Sequence, residues 1–357
     1  MGAIDTQLRF LEIGEFSLIK RCLPDQTAFI FTGANLRRLP GVAFQPFSPG
    51  RAIELLRGLR GRSWDLVFCF PPALPLWDCR RGVAGLPSTL ARLTFQFRRL
   101  GTYVAKYSRS PLVVLDYNDM SSVSVPGLPL LDRSVAYFKR ELPLDPAKAL
   151  FNVVPRFRTH RRVMSSAFFE RNRTKFRPIS AGVSEETAQI AKQLRPEKTV
   201  DVFFAGSRLN SEIRRRGFDE LGELAKRGYT IDISGGGLSQ SEYLERCARS
   251  WLTWSPEGLG WECLRHYEAS VCGSVPLLST PGIQRYQPLQ EGVHALVYSD
   301  QPGGLLRAVE TALAQKPALS LMAGRARQHV LAHHTQARIC EHIVATSLDA
   351  AKRPLAA

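Results

Sequence analysis

Five short, almost unbroken apolar runs constrain this chain more than any other feature. They are Thr27–Thr32 (TAFIFT), Trp64–Phe70 (WDLVFCF), Pro111–Asp116 (PLVVLD), Thr199–Ala205 (TVDVFFA) and Ser250–Trp254 (SWLTW), each stopped by glycine, proline or an acidic residue. A strand with one face in water alternates apolar and polar residues. A run that is apolar throughout is covered on both faces, as happens in a parallel sheet with helices above and below it. Segments with helical spacing lie between the runs, such as Ile53, Leu56 and Leu59 within Pro49–Gly61. The expected class is therefore α/β.

At 357 residues the chain is too long for one ordinary core, so two domains are expected. The strand–helix alternation also runs through two cycles. The first uses the runs up to Asp116, with helices over Leu86–Ser108 and Arg133–Leu142 and a last strand at Pro178–Val183. The second restarts at Thr199, after a linker at Glu185–Pro196. The division expected is 1–184, 185–345 and a tail at 346–357. Two doubly wound, Rossmann-like units in tandem follow.

Forty-eight basic residues against thirty-two acidic ones give a net charge of +16. Such a surface favours anionic partners: phosphates, acidic glycans, an anionic membrane or nucleic acid. The basic residues gather at Arg156–Arg162, Arg171–Arg177 and Arg214–Arg216. Nucleic acid is not expected, because no zinc-finger, helix-turn-helix or RNA-binding signature accompanies the charge. The seven cysteines (22, 69, 79, 247, 263, 272 and 340) show no CxxC or Cys/His ligand spacing, which reads as a reducing compartment without structural zinc. Charges throughout Met1–Lys20 do not read as a signal peptide, and no apolar stretch is long enough for a membrane span. A cytoplasmic protein is expected, with peripheral membrane contact as a further reading of its charge.

Ligands of open α/β sheets bind beyond the carboxyl ends of the strands. In the second half those positions are Gly206-Ser207, Gly235–Gly237 with Gly236 at the centre, Ser255–Gly260 and Ser279–Gly282. The richest is Ser255–Gly273 (SPEGLGWECLRHYEASVCG). Pro256, Gly258 and Gly260 follow a buried run and precede a helix. Glycines admit close backbone approach, and a helix start suits a phosphate. Glu262, Arg265 and Glu268 stand three apart, so a helix would keep them on one face. A guanidinium there could pair with a diphosphate, and a carboxylate could accept from ribose hydroxyls. The same spacing also fits a salt-bridge ladder on a solvated helix.

The pattern Ser-Pro-x-Gly-x-Gly-x-Glu-x-x-Arg-x-x-Glu-Ala, followed by Gly273-Ser-Val-Pro276, resembles the donor-site signature of GT-B glycosyltransferases. It is most similar to the exostosin-like and spore-maturation-type enzymes. Pro281-Gly282 and Glu291–Tyr298 (EGVHALVY) resemble that family too, so the likeness spans roughly residues 199–345. It implies two facing Rossmann-like domains and transfer of a sugar from a UDP- or GDP-linked donor to an acceptor hydroxyl; the basic charge, not the resemblance, suggests that the acceptor is a glycan or lipid-linked glycan, as in building cell-envelope polysaccharide. The resemblance implies that Glu268 holds the ribose, that Arg265 and Arg214 meet the diphosphate, and that Gly206, Ser207 and Gly236 line the donor. One departure stands out. Many retaining members carry Glu-x7-Glu, and Gly260 occupies the position of the first Glu.

In the first half, Tyr137–Leu142 (YFKREL) and Asp116–Asp119 (DYND) also resemble exostosin-like bacterial proteins. An inverting transferase needs a base to deprotonate the acceptor hydroxyl. Asp119 and Asp116, just past a strand, are the candidates, and a turn or capping role fits them as well. The histidines show no metal spacing and no Asp-x-Asp occurs, so metal-independent chemistry without a cofactor is expected. The competing readings are a GT-B-fold nucleotide-sugar epimerase, a non-catalytic nucleotide-binding protein and a basic nucleic-acid-binding protein.

Overall fold

The computed structural model describes residues 4–33, 41–61, 63–71, 100–124, 127–154, 159–162, 164–208 and 211–352. Cys79 and most of the helix expected over Leu86–Ser108 lie outside them. The chain forms two units: Met1–Ile179 with Cys340–Ala357, and Ser180–Ile339.

In the first unit seven parallel strands are ordered β3-β2-β1-β4-β5-β6-β9. They are β1 (Phe10–Gly14), β2 (Thr27–Phe31), β3 (Gln45–Pro46), β4 (Leu66–Cys69), β5 (Leu112–Asp116), β6 (Ser134–Lys139) and β9 (Phe176–Pro178). The order reverses between β1 and β4, the position where open sheets leave a crevice. A separate antiparallel hairpin joins β7 (Phe151–Val154) to β8 (Thr159–Arg162). The strand β1 breaks the apolar rule with Glu12 at its centre, fully buried. That carboxylate accepts the N–H groups of Leu18, Ile19 and Lys20 and the Ser17 hydroxyl, which satisfies the start of the short helix Ile19–Cys22.

Several elements differ from expectation. The last strand of the first unit is Phe176–Pro178 and not Pro178–Val183, of which Val183 makes only an isolated bridge to Thr335. Arg133–Leu142 is not helical: Ser134–Lys139 is the buried strand β6, and only Leu128–Arg133 before it forms a helix. The run SVAYFK is β-branched and aromatic, which suits a covered strand. Glu185–Gln193 is a helix rather than a linker, with the Ser184 hydroxyl accepting from Thr187 N–H. A helix at Gln336–Ala351 also occupies the start of the segment read as a tail.

The second unit has five parallel strands ordered β11-β10-β12-β13-β14: β10 (Val200–Ala205), β11 (Ile231–Ser234), β12 (Ser250–Ser255), β13 (Val275–Ser279) and β14 (Leu296–Tyr298). Its sheet is covered on both faces, as the apolar runs require. Phe203 and Leu278 enter one core with Leu244, Tyr267 and Val271. Val202, Phe204, Leu252, Trp254 and Leu277 enter the opposite one with Leu221 and Leu305. Here the order reverses between β10 and β12, so the loops after these two strands flank the switch point. Among the described residues no helix is long and apolar enough to cross a membrane.

Candidate functional site

The loop after β12 is held from three directions. The Glu257 N–H donates to Ser279 Oγ at 3.1 Å and Trp261 Nε1 to Ser279 O at 3.1 Å, which fixes it to the end of β13. Gly258 N–H donates to Gly260 O at 2.7 Å and closes a tight turn. The third hold is Arg214, on the helix Glu212–Lys226 that follows β10. Its Nε donates to Glu257 O at 2.8 Å, Nη1 to Ser207 O at 3.2 Å and Nη2 to Pro256 O at 3.5 Å. One guanidinium therefore bridges the loops on both sides of the switch point. Ser211 starts that helix, its hydroxyl accepting from Arg214 N–H. A Cβ on Gly258 would stand 2.9 Å from Arg214 Nη2, so any larger residue would have to displace the end of this guanidinium.

A second guanidinium lies beside the first. Arg265, on the helix Leu264–Val271, has its Cζ 4.8 Å from the Phe204 ring centroid, and Arg214 has its Cζ 5.8 Å from the same ring. Gly206, at φ +148°, passes so near that a Cβ would be 3.1 Å from Arg265 Nη2. Burial and the neighbouring Arg265 cation both press the Arg214 guanidinium below its ordinary value. Two like charges held together at strand ends, next to a helix start, form a positive site that a diphosphate would neutralise. Glu268 is one turn further along the helix. Burial raises its carboxyl above the usual range, with the Tyr243 hydroxyl and the Arg265 cation acting the other way.

Glu262 is placed differently from its two partners. The helix begins at Leu264, so the one-face argument covers Arg265 and Glu268 only. Glu262 is buried in the preceding turn, where Oε2 accepts from Ala181 N–H at 3.0 Å and Oε1 accepts from the Tyr267 hydroxyl. Ser255 is also buried, its hydroxyl 2.7 Å from His266 Nδ1 and 3.2 Å from Cys263 Sγ. Ser207 is exposed, and Gly236, at φ +132° after β11, has open space around its Cα.

Several site groups carried no signal in the spacing rules. Cys263 sits at the helix start with Sγ 3.6 Å from both His266 Nδ1 and Arg265 Nη1. Burial alone would raise its thiol, but His266 and Arg265, with hydrogen bonds from His266 and Ser255, bring it well below the ordinary range. His294, His329, His333 and His334 gather through three dimensions, with His294 and His329 stacked at 4.3 Å. They form no metal-type grouping among the described residues.

In the first unit Asp116, at the end of β5, is buried. Its Oδ2 accepts from Tyr137 Oη at 2.8 Å and Lys139 Nζ at 3.0 Å, and its Oδ1 from the Asn118 amide at 2.9 Å. Asp119 is half exposed on the following loop and pairs with Arg140. In the basic cluster after it, Arg171 pairs with Asp132 and Arg173 with Glu170.

No protein-family model matches the chain, and no curated protein matches it. Solved structures do match it over nearly its whole length. A glycosyltransferase from Rickettsia africae ESF-5 is 10% identical at a TM-score of 0.57, covering 97% of this chain and 99% of that one. Anabaena Alr3699/HepE, solved in complex with UDP, is 12% identical at 0.56, covering 95% and 99%. The α,α-trehalose 6-phosphate synthase from Burkholderia multivorans is 10% identical at 0.53, covering 96% and 97%. At such identities the likeness is one of fold, and the fold is GT-B.

Proposed function

We propose that this chain is a glycosyltransferase that moves a sugar from a nucleoside diphosphate donor to a hydroxyl of a glycan or lipid-linked glycan. The observation that carries the reading is the pair Arg214 and Arg265 at the switch point of the second sheet, with Glu268 one turn behind. The neighbours support it: the Anabaena protein of the same fold was solved with UDP, and with UDP and glucose.

Arg265 meets the diphosphate and, with the helix start, stabilises the charge that develops on it as the sugar–phosphate bond breaks. Arg214 holds the turn Pro256–Gly260 against Ser207, so that its glycine backbone can come close to the ligand. Glu268 accepts from the ribose hydroxyls, and Gly206 and Gly236 leave room for the nucleotide. No metal and no cofactor is assigned a role. In the first unit Asp119 is the better base for the acceptor, since it is half exposed with Arg140 as its partner, whereas Asp116 is buried and accepts from three side chains.

The motif Ser255–Glu268 supports the finer exostosin-like assignment, the cysteine spacing supports a cytoplasmic enzyme, and the net charge supports contact with an anionic membrane or envelope acceptor. The test is release of free UDP or GDP from candidate donors with and without lipid-linked glycan acceptors. Acceptor-dependent release that falls at least about 100-fold in Arg265→Ala supports the reading. Donor turnover to an epimer without release, or no turnover with any donor that binds, refutes it.

A further inference from the structure

The chain passes between its units twice, at Ile179–Ser180 and at Ile339–Cys340. Within the second unit the segments next to these passages run side by side. Val183 N–H donates to His334 O at 2.8 Å and Gln336 N–H to Val183 O at 2.9 Å. Ser180 Oγ lies 2.8 Å from His334 Nδ1. Gly182, at φ +61°, is packed so closely that a Cβ would stand 2.4 Å from both His334 O and Ile339 Cδ1. Only glycine fits there.

The same paired segments are tied to the helix that carries Arg265 and Glu268. Glu262 holds Ala181 N–H with one carboxylate oxygen and the Tyr267 hydroxyl with the other. Tyr267 lies on that helix between Arg265 and Glu268, and its ring rests on His334 at a centroid distance of 4.6 Å. Only 5% of Glu262 is exposed. Breaking either bond would strand a buried polar group, so helix and segments are energetically bound to move together.

We infer that Glu262 is a positioning residue that transmits occupancy of the Arg265–Glu268 site to the paired segments 180–184 and 334–339. The inference rests on the donor reading above. A ligand that draws on Arg265 and Glu268 orders the helix from both sides of Tyr267. Tyr267 then fixes Glu262, and Glu262 fixes Ala181.

Hydrogen–deuterium exchange of peptides covering 180–184 and 334–339, with and without saturating UDP, tests the coupling. In the wild type UDP should slow exchange there about fivefold or more. Glu262→Ala and Tyr267→Phe should still bind UDP, as read by a thermal shift, yet lose most of the slowing. Glu262→Gln keeps acceptor oxygen and should retain part of it. If Glu262→Ala does not fold, Tyr267→Phe carries the comparison, since it removes one hydroxyl and keeps the ring. Slowing that persists in the folded variants, or bound UDP that slows nothing in the wild type, overturns the inference. Absence of any UDP binding to the wild type overturns the donor reading instead, and the coupling with it.

Discussion

The Nε of Arg214 donates to the carbonyl oxygen of Glu257 at 2.8 Å, and this contact joins the helix after β10 to the loop after β12. Arg214 is therefore as much a fastener of the site as a charge within it. Arg214→Ala is expected to leave the carbonyls of Ser207 and Pro256 short of a donor, with Glu257 O keeping only the Ser211 hydroxyl, and to destabilise the second unit by about 1–3 kcal/mol. Arg214→Lys should recover little, since one ammonium nitrogen cannot occupy the separate positions from which Nε, Nη1 and Nη2 reach their carbonyls. Urea midpoints of both variants check this; a lysine variant as stable as the wild type would contradict it.

Two glycines in one helix separate packing from backbone propensity. A Cβ on Gly217 would meet Trp254 Cζ2 at 2.2 Å, while a Cβ on Gly222 meets nothing within 4 Å. Gly217→Ala is expected to cost about 1–3 kcal/mol by overpacking. Gly222→Ala should add about 0.5–1 kcal/mol through helix propensity. Thermal melts of the two variants should shift in opposite directions.

Cys263 is expected to react with iodoacetamide at a pH where ordinary cysteines are slow. Its thiol is brought well below 9.0 by His266 and Arg265 against the opposing effect of burial. The thiolate is the nucleophile, so reactivity should persist toward acid instead of falling away below the ordinary thiol range. Arg265→Ala should shift the pH–rate profile upward. A wild-type profile with a free-cysteine midpoint would contradict the assignment.

His334 sets a pH window for stability. Burial depresses it from 6.5 to about 3. Between those values the unfolded chain holds a proton that the folded one lacks, so stability is present above about pH 6.5 and is lost progressively as pH falls toward 3. His334→Asn should flatten that part of the pH–stability curve. A slope between about pH 6 and 4 that the substitution leaves unchanged would contradict it.

The second unit was the more legible one, for a physical reason. TVDVFFA and SWLTW are covered on both faces, and the residues that follow them are glycine, serine and proline, so periodicity and turn chemistry agree. The strand β1 was hidden because Glu12 interrupts its apolar run. The carboxylate is buried there only because Leu18, Ile19 and Lys20 present their N–H groups to it, a tertiary fact. The sequence of strand β6 is ambiguous because SVAYFKREL up to Pro143 fits a helix stop as well as a strand. Spacing alone groups Glu262 with Arg265 and Glu268. Spacing could not reveal that the helix starts two residues later and turns Glu262 toward Ala181.

Protonation of Glu268 should weaken the nucleotide. Burial raises its carboxyl above the ordinary 4.5, so the loss of ribose acceptance should begin at a higher pH than for an exposed glutamate. UDP affinity should fall as pH drops through that raised range, and Glu268→Gln should remove the dependence. A pH-independent affinity in the wild type would contradict it.

The claim that the turn after β12 and the helix behind it hold a nucleoside diphosphate is tested most directly by thermal shift with UDP and GDP, alongside CMP and dTDP. A ligand at about 100 times its Kd stabilises the native state by about 2.7 kcal/mol. At least one of the diphosphates should raise the Tm by several degrees in the wild type, and Arg265→Ala and Glu268→Ala should each abolish most of that rise. A full shift retained in both variants, or no shift with any of the four nucleotides, would contradict it.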